Sequence, residues 1–110
     1  MKISELIEKT GFSLATRNLE TEAEVTGVYC GDLLSWVMGR GEPGQAWITV
    51  QVHNNVIAVA LLREFSCVII ADGAMVSEDL IQKAEEEQLV LIESNLPVYE
   101  TAQKLNALGL

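Results

Sequence analysis

The segment from Ala46 to Ile70, AWITVQVHNNVIAVALLREFSCVII, constrains the fold more than any other part of the chain. It opens with a run rich in Trp, Ile, Thr and Val, and it closes in a continuous apolar run, which is typical of buried strands. Between these two runs, Val56–Leu62 offers no polar side, which predicts a buried helix. One sheet cannot surround such a helix in a chain of 110 residues. Its outer side therefore needs another helix or another subunit.

The rest of the chain continues the same alternation of strands and helices. Asp32 and Ser77 are suitable helix N-caps, and Ser94 or Asn95 would cap the last helix, with Pro97 in its first turn. The predicted order is α-β-β-α-β-α-β-α-β-α, and its strand–helix–strand steps require parallel strands. This predicts one α/β domain over residues 1–110, with helices on both faces of a mostly parallel sheet. Besides the central unit, the pattern predicts helices at Ile3–Thr10 and Leu33–Met38 and strands at 12–16, Val25–Tyr29 and Leu89–Glu93.

Charge and composition exclude several classes of function. The net charge is −9, with only seven basic residues, so a phosphate backbone would be repelled and no nucleic-acid partner is expected. No apolar run reaches the roughly 18 residues of a membrane helix, and the first residues do not resemble a signal peptide. We therefore expect a cytoplasmic domain that does not bind membranes. Cys30 and Cys67 are far apart in sequence, and we expect both to be reduced core thiols.

Three loops lie where open α/β sheets bind ligands, at the carboxyl ends of strands and before helix N-termini. No phosphate-binding glycine loop occurs in them. The pattern nevertheless allows a site for an anion, such as a nucleotide or a phosphorylated metabolite. Its candidate ligand contacts are His53, Asn54, Asn55, Asp72, Gly73, Ser94 and Asn95.

Catalytic and metal sites have weaker support in the sequence. His53 is the single histidine, and a catalytic interpretation would need Asp72 to orient it and Cys67 or Ser94 as a nucleophile. Cys67 falls inside a predicted strand, and a helix cap explains Ser94 better. One His and two separated Cys match no zinc or iron–sulfur spacing. We therefore expect no catalytic residue, no metal and no cofactor.

Large apolar side chains near turns suggest an interface instead. Trp36, Met38 and Trp47 are candidate interface residues, although packing inside the core would also explain each of them. Together with the apolar helix Val56–Leu62, they give more hydrophobic surface than one small domain covers. This predicts a homodimer and leaves room for another protein partner.

The order AWIT, HNNVIAVALL, CVIIADG and LVLIESNLPVYETAQKL resembles the DRTGG domain family, and the likeness extends over nearly the whole chain. That family is related in fold to the N-terminal domain of HPr kinase/phosphorylase. It also occurs with CBS domains in regulatory pyrophosphatases. The resemblance implies a three-layer α/β/α fold and an accessory domain for regulation and dimerisation, without a reaction of its own.

One loop departs from the family pattern. The motif that names the family belongs after the strand at Ala46, where this chain reads QVHNN (51–55), without the acid or the arginine. The loop at Ser94 lies closer to the pattern. Two hypotheses result: a non-catalytic, homodimeric regulatory module, and, alternatively, a small-molecule sensor at the strand-end loops.

Overall fold

A computed structural model describes residues 1–110. The predicted element order is confirmed. The elements are α1 (Ile3–Thr10), β1 (Ser13–Leu14), β2 (Gly27–Cys30), α2 (Leu34–Arg40), β3 (Gln45–Thr49), α3 (Asn55–Leu62), β4 (Cys67–Ile70), α4 (Glu78–Glu86), β5 (Val90–Glu93) and α5 (Val98–Ala107).

The strands form one five-stranded sheet in the order β1-β5-β4-β3-β2. Strands β2 to β5 are parallel neighbours, and β1 pairs antiparallel with β5. The prediction of a mostly parallel sheet is therefore confirmed. The order also leaves β1 and β2 as the two edges.

Side chains alternate between the faces of the sheet, and both faces are buried. Trp47, Val68 and Leu91 are in register and face a core shared with α2, α3 and α4. Ile48, Ile69 and Ile92 form the neighbouring row and face a core shared with α1 and α5. Two helical layers thus enclose the sheet, as a three-layer α/β/α fold requires.

Helix ends follow the expected signals in two cases. Gly11 ends α1 in the left-handed conformation, with φ of 75°. The Ser77 hydroxyl accepts the Leu80 N–H at 3.1 Å and caps α4.

Several strands differ from their predicted bounds, β1 and β2 among them. The strand expected over residues 12–16 is only Ser13–Leu14. The Ala15 N–H still donates to Leu91 O at 2.9 Å, but the Leu91 N–H then turns to the Thr16 hydroxyl at 3.2 Å. A side chain therefore replaces the backbone ladder there. The strand predicted at Val25–Tyr29 lies two residues later at its start and one at its end, over Gly27–Cys30.

Candidate functional site

The parallel strands β2 to β5 all have their carboxyl ends on the same side of the sheet, which we call its carboxyl edge. The segments that follow β3, β4 and β5, up to the first residue of α3, hold every candidate ligand contact predicted from the sequence. The loops after β4 and β5 are joined. Asp72 N–H donates to Leu96 O at 2.7 Å and Gly73 N–H donates to Ser94 O at 3.0 Å. Asp72 and Gly73 form a left-handed turn, with φ of 62° and 63°. A Cβ built on Gly73 would lie 3.7 Å from Asn95 Oδ1. The structure therefore brings these four candidates together.

Ser94 has a structural role in this pair of loops. Its side chain is buried, and its Oγ lies 2.8 Å from Thr101 Oγ1 and accepts the Leu96 N–H at 3.1 Å. Thr101 Oγ1 in turn donates to Leu96 O at 3.0 Å. The prediction that Ser94 or Asn95 caps α5 is wrong. The N-cap is Pro97, without a side-chain hydrogen bond, because Ser94 instead ties the loop to the first turn of the helix.

The loop after β3 stands apart from this pair. His53, Asn54 and Asn55 are all exposed. His53 Nδ1 accepts the Asn55 N–H at 3.0 Å, and Asn54 Nδ2 donates to Asp79 Oδ2 at 3.5 Å. No hydrogen bond links these three residues to Asp72 or Asn95. The seven candidates thus form two groups at the same edge.

Several backbone amides beside these two groups are already engaged. At the start of α3, the N–H groups of Val56 and Ile57 donate to His53 O and Asn54 O, at 3.0 and 3.1 Å. In the other group, Asp72 and Gly73 donate to carbonyls as described. These four N–H groups are therefore not available to an anion at this end of the sheet.

Asp32 is another residue that the sequence interpretation placed incorrectly. It does not cap α2, whose N-cap is Leu33. Its carboxylate instead accepts Thr49 Oγ1–H at 2.8 Å and Val50 N–H at 2.9 Å, while Gln51 Nε2 donates to Asp32 O at 3.0 Å. Asp32 thereby fixes the chain that leaves β3. No local signal in the sequence indicates this role, since Thr49 and Val50 lie 17 and 18 residues away along the chain.

Two grooves run along α3. The α2–α3 groove encloses ≈ 450 Å³ and is lined by Leu34, Ser35, Met38, Asn55, Ala58 and Val59. The α3–α4 groove encloses ≈ 230 Å³ and is lined by Asn54, Ile57, Ala58, Leu61, Lys83, Glu86 and Glu87. Ala58 belongs to both grooves, so it marks the outward ridge of α3. His53, Asp72 and Asn95 line none of the surface cavities.

The three candidate interface residues separate clearly. Trp47 is 0% exposed, donates from Nε1 to Gly31 O at 2.9 Å and packs against Phe65. Its assignment to an interface is wrong, because β3 is a central strand and Trp47 fills the core beneath α2 and α3. Trp36 is 55% exposed, with the Arg40 guanidinium 4.1 Å from its ring centroid. Met38 is half-buried in the α2–α3 groove.

The outer side of α2 and α3 is apolar, and its helices carry no acidic residue. We call it the α2–α3 face. The segment 50–62 has no charged residue, and the segment 33–41 has only Arg40. Its exposed apolar side chains are Leu33, Trp36, Val52, Leu61 and Leu62. The helix predicted to need cover on its outer side does receive α2 as a neighbour, but part of it remains open to solvent.

The two cysteines are free and lie in different surroundings. Cys67 is buried in β4, and burial raises the pKa of its thiol from 9.0 to about 12. Cys30 is exposed at the end of β2, where partial burial, with Asp32 nearby, raises the pKa of its thiol. Cys30 was expected in the core and is not there. No group of three or more His, Cys, Asp or Glu side chains is placed to hold a metal ion. Nor is any helix long and apolar enough to cross a membrane.

The fold defines a small three-layer α/β domain with a mostly parallel sheet. The DRTGG domain model matches residues 8–108, so the chain belongs to the DRTGG domain family. A search of curated proteins gives no match.

Among solved structures, the chain is similar to the CBS and DRTGG domains of the regulatory region of Clostridium perfringens pyrophosphatase, crystallised with its activator, diadenosine tetraphosphate. The TM-score is 0.69 at 11% identity, over 92% of this chain and 44% of that one. The chain thus spans less than half of that regulatory region. At this identity the likeness shows the fold.

Proposed function

We propose that this DRTGG domain is a non-catalytic regulatory module that works as a homodimer through the α2–α3 face. The observation that carries the proposal is this face itself, where apolar side chains are exposed on two adjacent helices. An exposed apolar patch of this kind is typical of interaction sites. Trp36 is its aromatic anchor, and Met38 lies in the groove beside it.

Charge favours a second copy as the occupant of this face. Two chains of net charge −9 repel each other wherever their acidic surfaces meet. The α2–α3 face carries no acid on its helices, whereas α4 carries Glu78, Asp79, Glu85 and Glu86. Copies can therefore approach through this face with the least repulsion.

A charge on the face tests the dimer. Trp36→Glu should convert the dimer to a monomer, measured as mass in solution by light scattering over a range of concentrations. Tyr99→Glu is the matched control, because Tyr99 is an exposed aromatic residue on α5, on the opposite layer. It should leave the mass unchanged. A wild-type chain that is monomeric at high concentration would contradict the dimer.

The regulatory part of the proposal has two supports. The chain matches the DRTGG family over almost its whole length. Its structural neighbour is a regulatory region that contains the same type of domain. Two free thiols support a reducing compartment, and so the cytoplasm, as its location. The likeness to the HPr kinase N-terminal domain remains a prediction.

A second candidate function is a sensor for a nucleotide or a phosphorylated metabolite at the carboxyl edge of the sheet. The complex of the neighbouring regulatory region with diadenosine tetraphosphate favours it. His53 and Asn54 are the side chains best placed to contact such a ligand here. Both are exposed, and His53 carries no hydrogen bond on Nε2.

Thermal-shift screening of nucleotides and phosphorylated metabolites tests the sensor. A ligand at 100 times its Kd stabilises the folded state by about 2.7 kcal/mol, which gives a readily measured rise in Tm. His53→Ala with Asn54→Ala should abolish the rise, while Gln103→Ala on α5 should keep it. An unchanged Tm with every compound would contradict the sensor without affecting the dimer.

A further inference from the structure

The two edge strands of the sheet, β1 and β2, differ in length and in the charge of the segments around them. Edge β1 has two residues, Ser13 and Leu14, and is followed by the acid-rich segment 17–24. Edge β2 has four residues, Gly27–Cys30, and the segment 25–31 around it has neither a charge nor a proline. Charges, proline and short length are the usual protections of an edge strand against pairing with another chain. Edge strand β2 has neither charged residues nor proline.

The pairing groups of β2 point away from the sheet at alternate residues. Gly31 N–H donates inward to Ile48 O at 3.2 Å. Because successive residues of a strand direct their backbone groups to opposite sides, Val28 and Cys30 direct theirs outward. Val28 O receives only a long hydrogen bond of 3.5 Å, from Gln45 Nε2. An outward row of donors and acceptors therefore remains for another strand.

The side of α2 next to this edge extends the same surface. The strand order makes α2 the outermost helix of its layer, because it follows the edge strand β2. Leu34 and Met38 face the groove with α3, and Trp36 and Arg40 do not line it. Trp36 and its stacked Arg40 thus lie on a side of α2 outside the groove with α3.

Charge again decides the occupant. The segment 25–41 contains one acid, Asp32, and one base, Arg40, so its net charge is zero. The Asp32 carboxylate is engaged by Thr49 and Val50. A strongly acidic or basic partner would find no complementary charge here, whereas a second copy of this acidic chain meets no repulsion. An antiparallel strand pair about a two-fold axis is also complementary to itself.

We propose that two copies of this domain pair through antiparallel β2 strands, which joins their sheets into one ten-stranded sheet with the Trp36 sides of both α2 helices above the junction. This inference rests on the proposed homodimer and specifies the edge at which it forms. Main-chain hydrogen bonds supply the pairing, as in other strand additions at exposed edges.

The native thiols provide the test. Cys30 is exposed on β2, whereas Cys67 is buried, so a thiol reagent labels Cys30 in the folded chain. In an antiparallel β2 pair, the two Cys30 Cα atoms lie roughly 5–12 Å apart, from strand rise and spacing. A short bis-maleimide should therefore crosslink wild-type chains into covalent dimers at Cys30. With Cys30→Ser and Ser13→Cys, the thiol moves to the opposite edge, and the crosslink should be lost while the mass in solution is unchanged.

Two variants break the pairing itself. Val28→Pro removes an outward N–H that the isolated domain does not use, and proline is tolerated on edge strands. Cys30→Lys places like charges at the junction through an exposed side chain, and it keeps the test valid if the proline variant does not fold. Each should weaken self-association roughly tenfold to hundredfold, as the loss of hydrogen bonds on both sides of a two-fold axis implies.

The outcomes separate the two proposals. A dimer that crosslinks at Cys30 and dissociates on Val28→Pro or Cys30→Lys supports β2 pairing. A dimer by mass that does not crosslink and tolerates both variants overturns β2 pairing and leaves the homodimer standing. A wild-type monomer overturns both.

Discussion

Each of the two helical layers buries a hydrophobic core against the sheet, but the two layers present different surfaces to solvent. In the layer of α1 and α5, the inner residues Ile3, Leu6 and Leu105 are buried and the outer positions are mainly polar or charged. In the layer of α2 and α3, the outer positions include exposed Trp36, Leu61 and Leu62. The outer positions of α1 and α5 therefore suit contact with water better than those of α2 and α3. The difference teaches that burial of the core does not explain the composition of α2 and α3, which is the reason for the partner proposed on this face.

The largest expected effect contrasts the two tryptophans. Trp47→Ala should lower the free energy of unfolding by about 3–5 kcal/mol, because it leaves a cavity beneath α2 and α3 and removes the hydrogen bond to Gly31 O. Trp36→Ala should cost the monomer less than about 1 kcal/mol, since its ring is exposed and contacts Arg40. Urea denaturation at low protein concentration measures both. Equal losses would contradict the assignment of Trp36 to the surface.

A leucine pair sharpens the comparison between layers. Leu105→Ala on the inner side of α5 should cost about 2–5 kcal/mol, because this side chain is completely buried. Leu62→Ala at the end of α3 is 61% exposed and should change monomer stability by about 0.5 kcal/mol or less. Leu62→Ala should still weaken self-association, which sedimentation at several concentrations detects. A variant that leaves association unaltered would remove Leu62 from the interface.

Alkaline pH tests the core beside α1 and α5. Folding raises the pKa of the Cys67 thiol from 9.0 to about 12, so the thiol is easier to ionise in the unfolded chain. Stability is therefore unaffected by this group below pH 9 and falls by about 1.4 kcal/mol per pH unit above it, until about pH 12. Cys67→Ala should remove this component of the pH dependence, although the smaller side chain lowers stability at pH 7. Parallel curves for both chains between pH 9 and 11 would refute it.

A smaller loss of stability is expected at the carboxyl end of β3, where Asp32 bonds Thr49 and Val50. Asp32→Ala should cost about 1–2 kcal/mol, because Thr49 Oγ1 and Val50 N–H lose their acceptor. Asp32→Asn keeps one side-chain oxygen and should recover part of the loss. Thermal unfolding of both variants measures this. If Asp32→Ala were as stable as the wild type, the carboxylate would not fix the loop after β3.

Much of the fold was predictable because its signals are local. Apolar runs over Ala46–Val52 and Ser66–Ala71 predict the buried parallel strands that the structure has at Gln45–Thr49 and Cys67–Ile70. Gly11 and Ser77 mark helix ends by backbone and hydroxyl chemistry. Two of the misplacements share one cause. Asp32 and Trp47 each had a plausible local role, and a neighbour distant in sequence decided their actual one. Ser94 instead bonds its near neighbours Leu96 and Thr101, so the loop conformation decided its role.

The candidate site shows the same limit. Sequence position placed seven residues at one edge of the sheet, since loops that follow parallel strands meet there. Only the structure shows that Asp72, Gly73, Ser94 and Asn95 lie together and that the His53 loop stands apart from them. Whether the seven bind a ligand stays a prediction.

The apolar helix Val56–Leu62 was identifiable from sequence as a segment that needs cover on its outer side, because its hydrophobicity has no periodicity. Which side is covered was not identifiable, since a helix without a polar face gives no direction. The tertiary structure decides it. The core that α3 shares with the sheet, α2 and α4 takes Val56, Ile57, Val59 and Ala60, and Ala58, Leu61 and Leu62 are left in solvent. The sequence thus determined that a surface would remain, and packing alone determined where it lies.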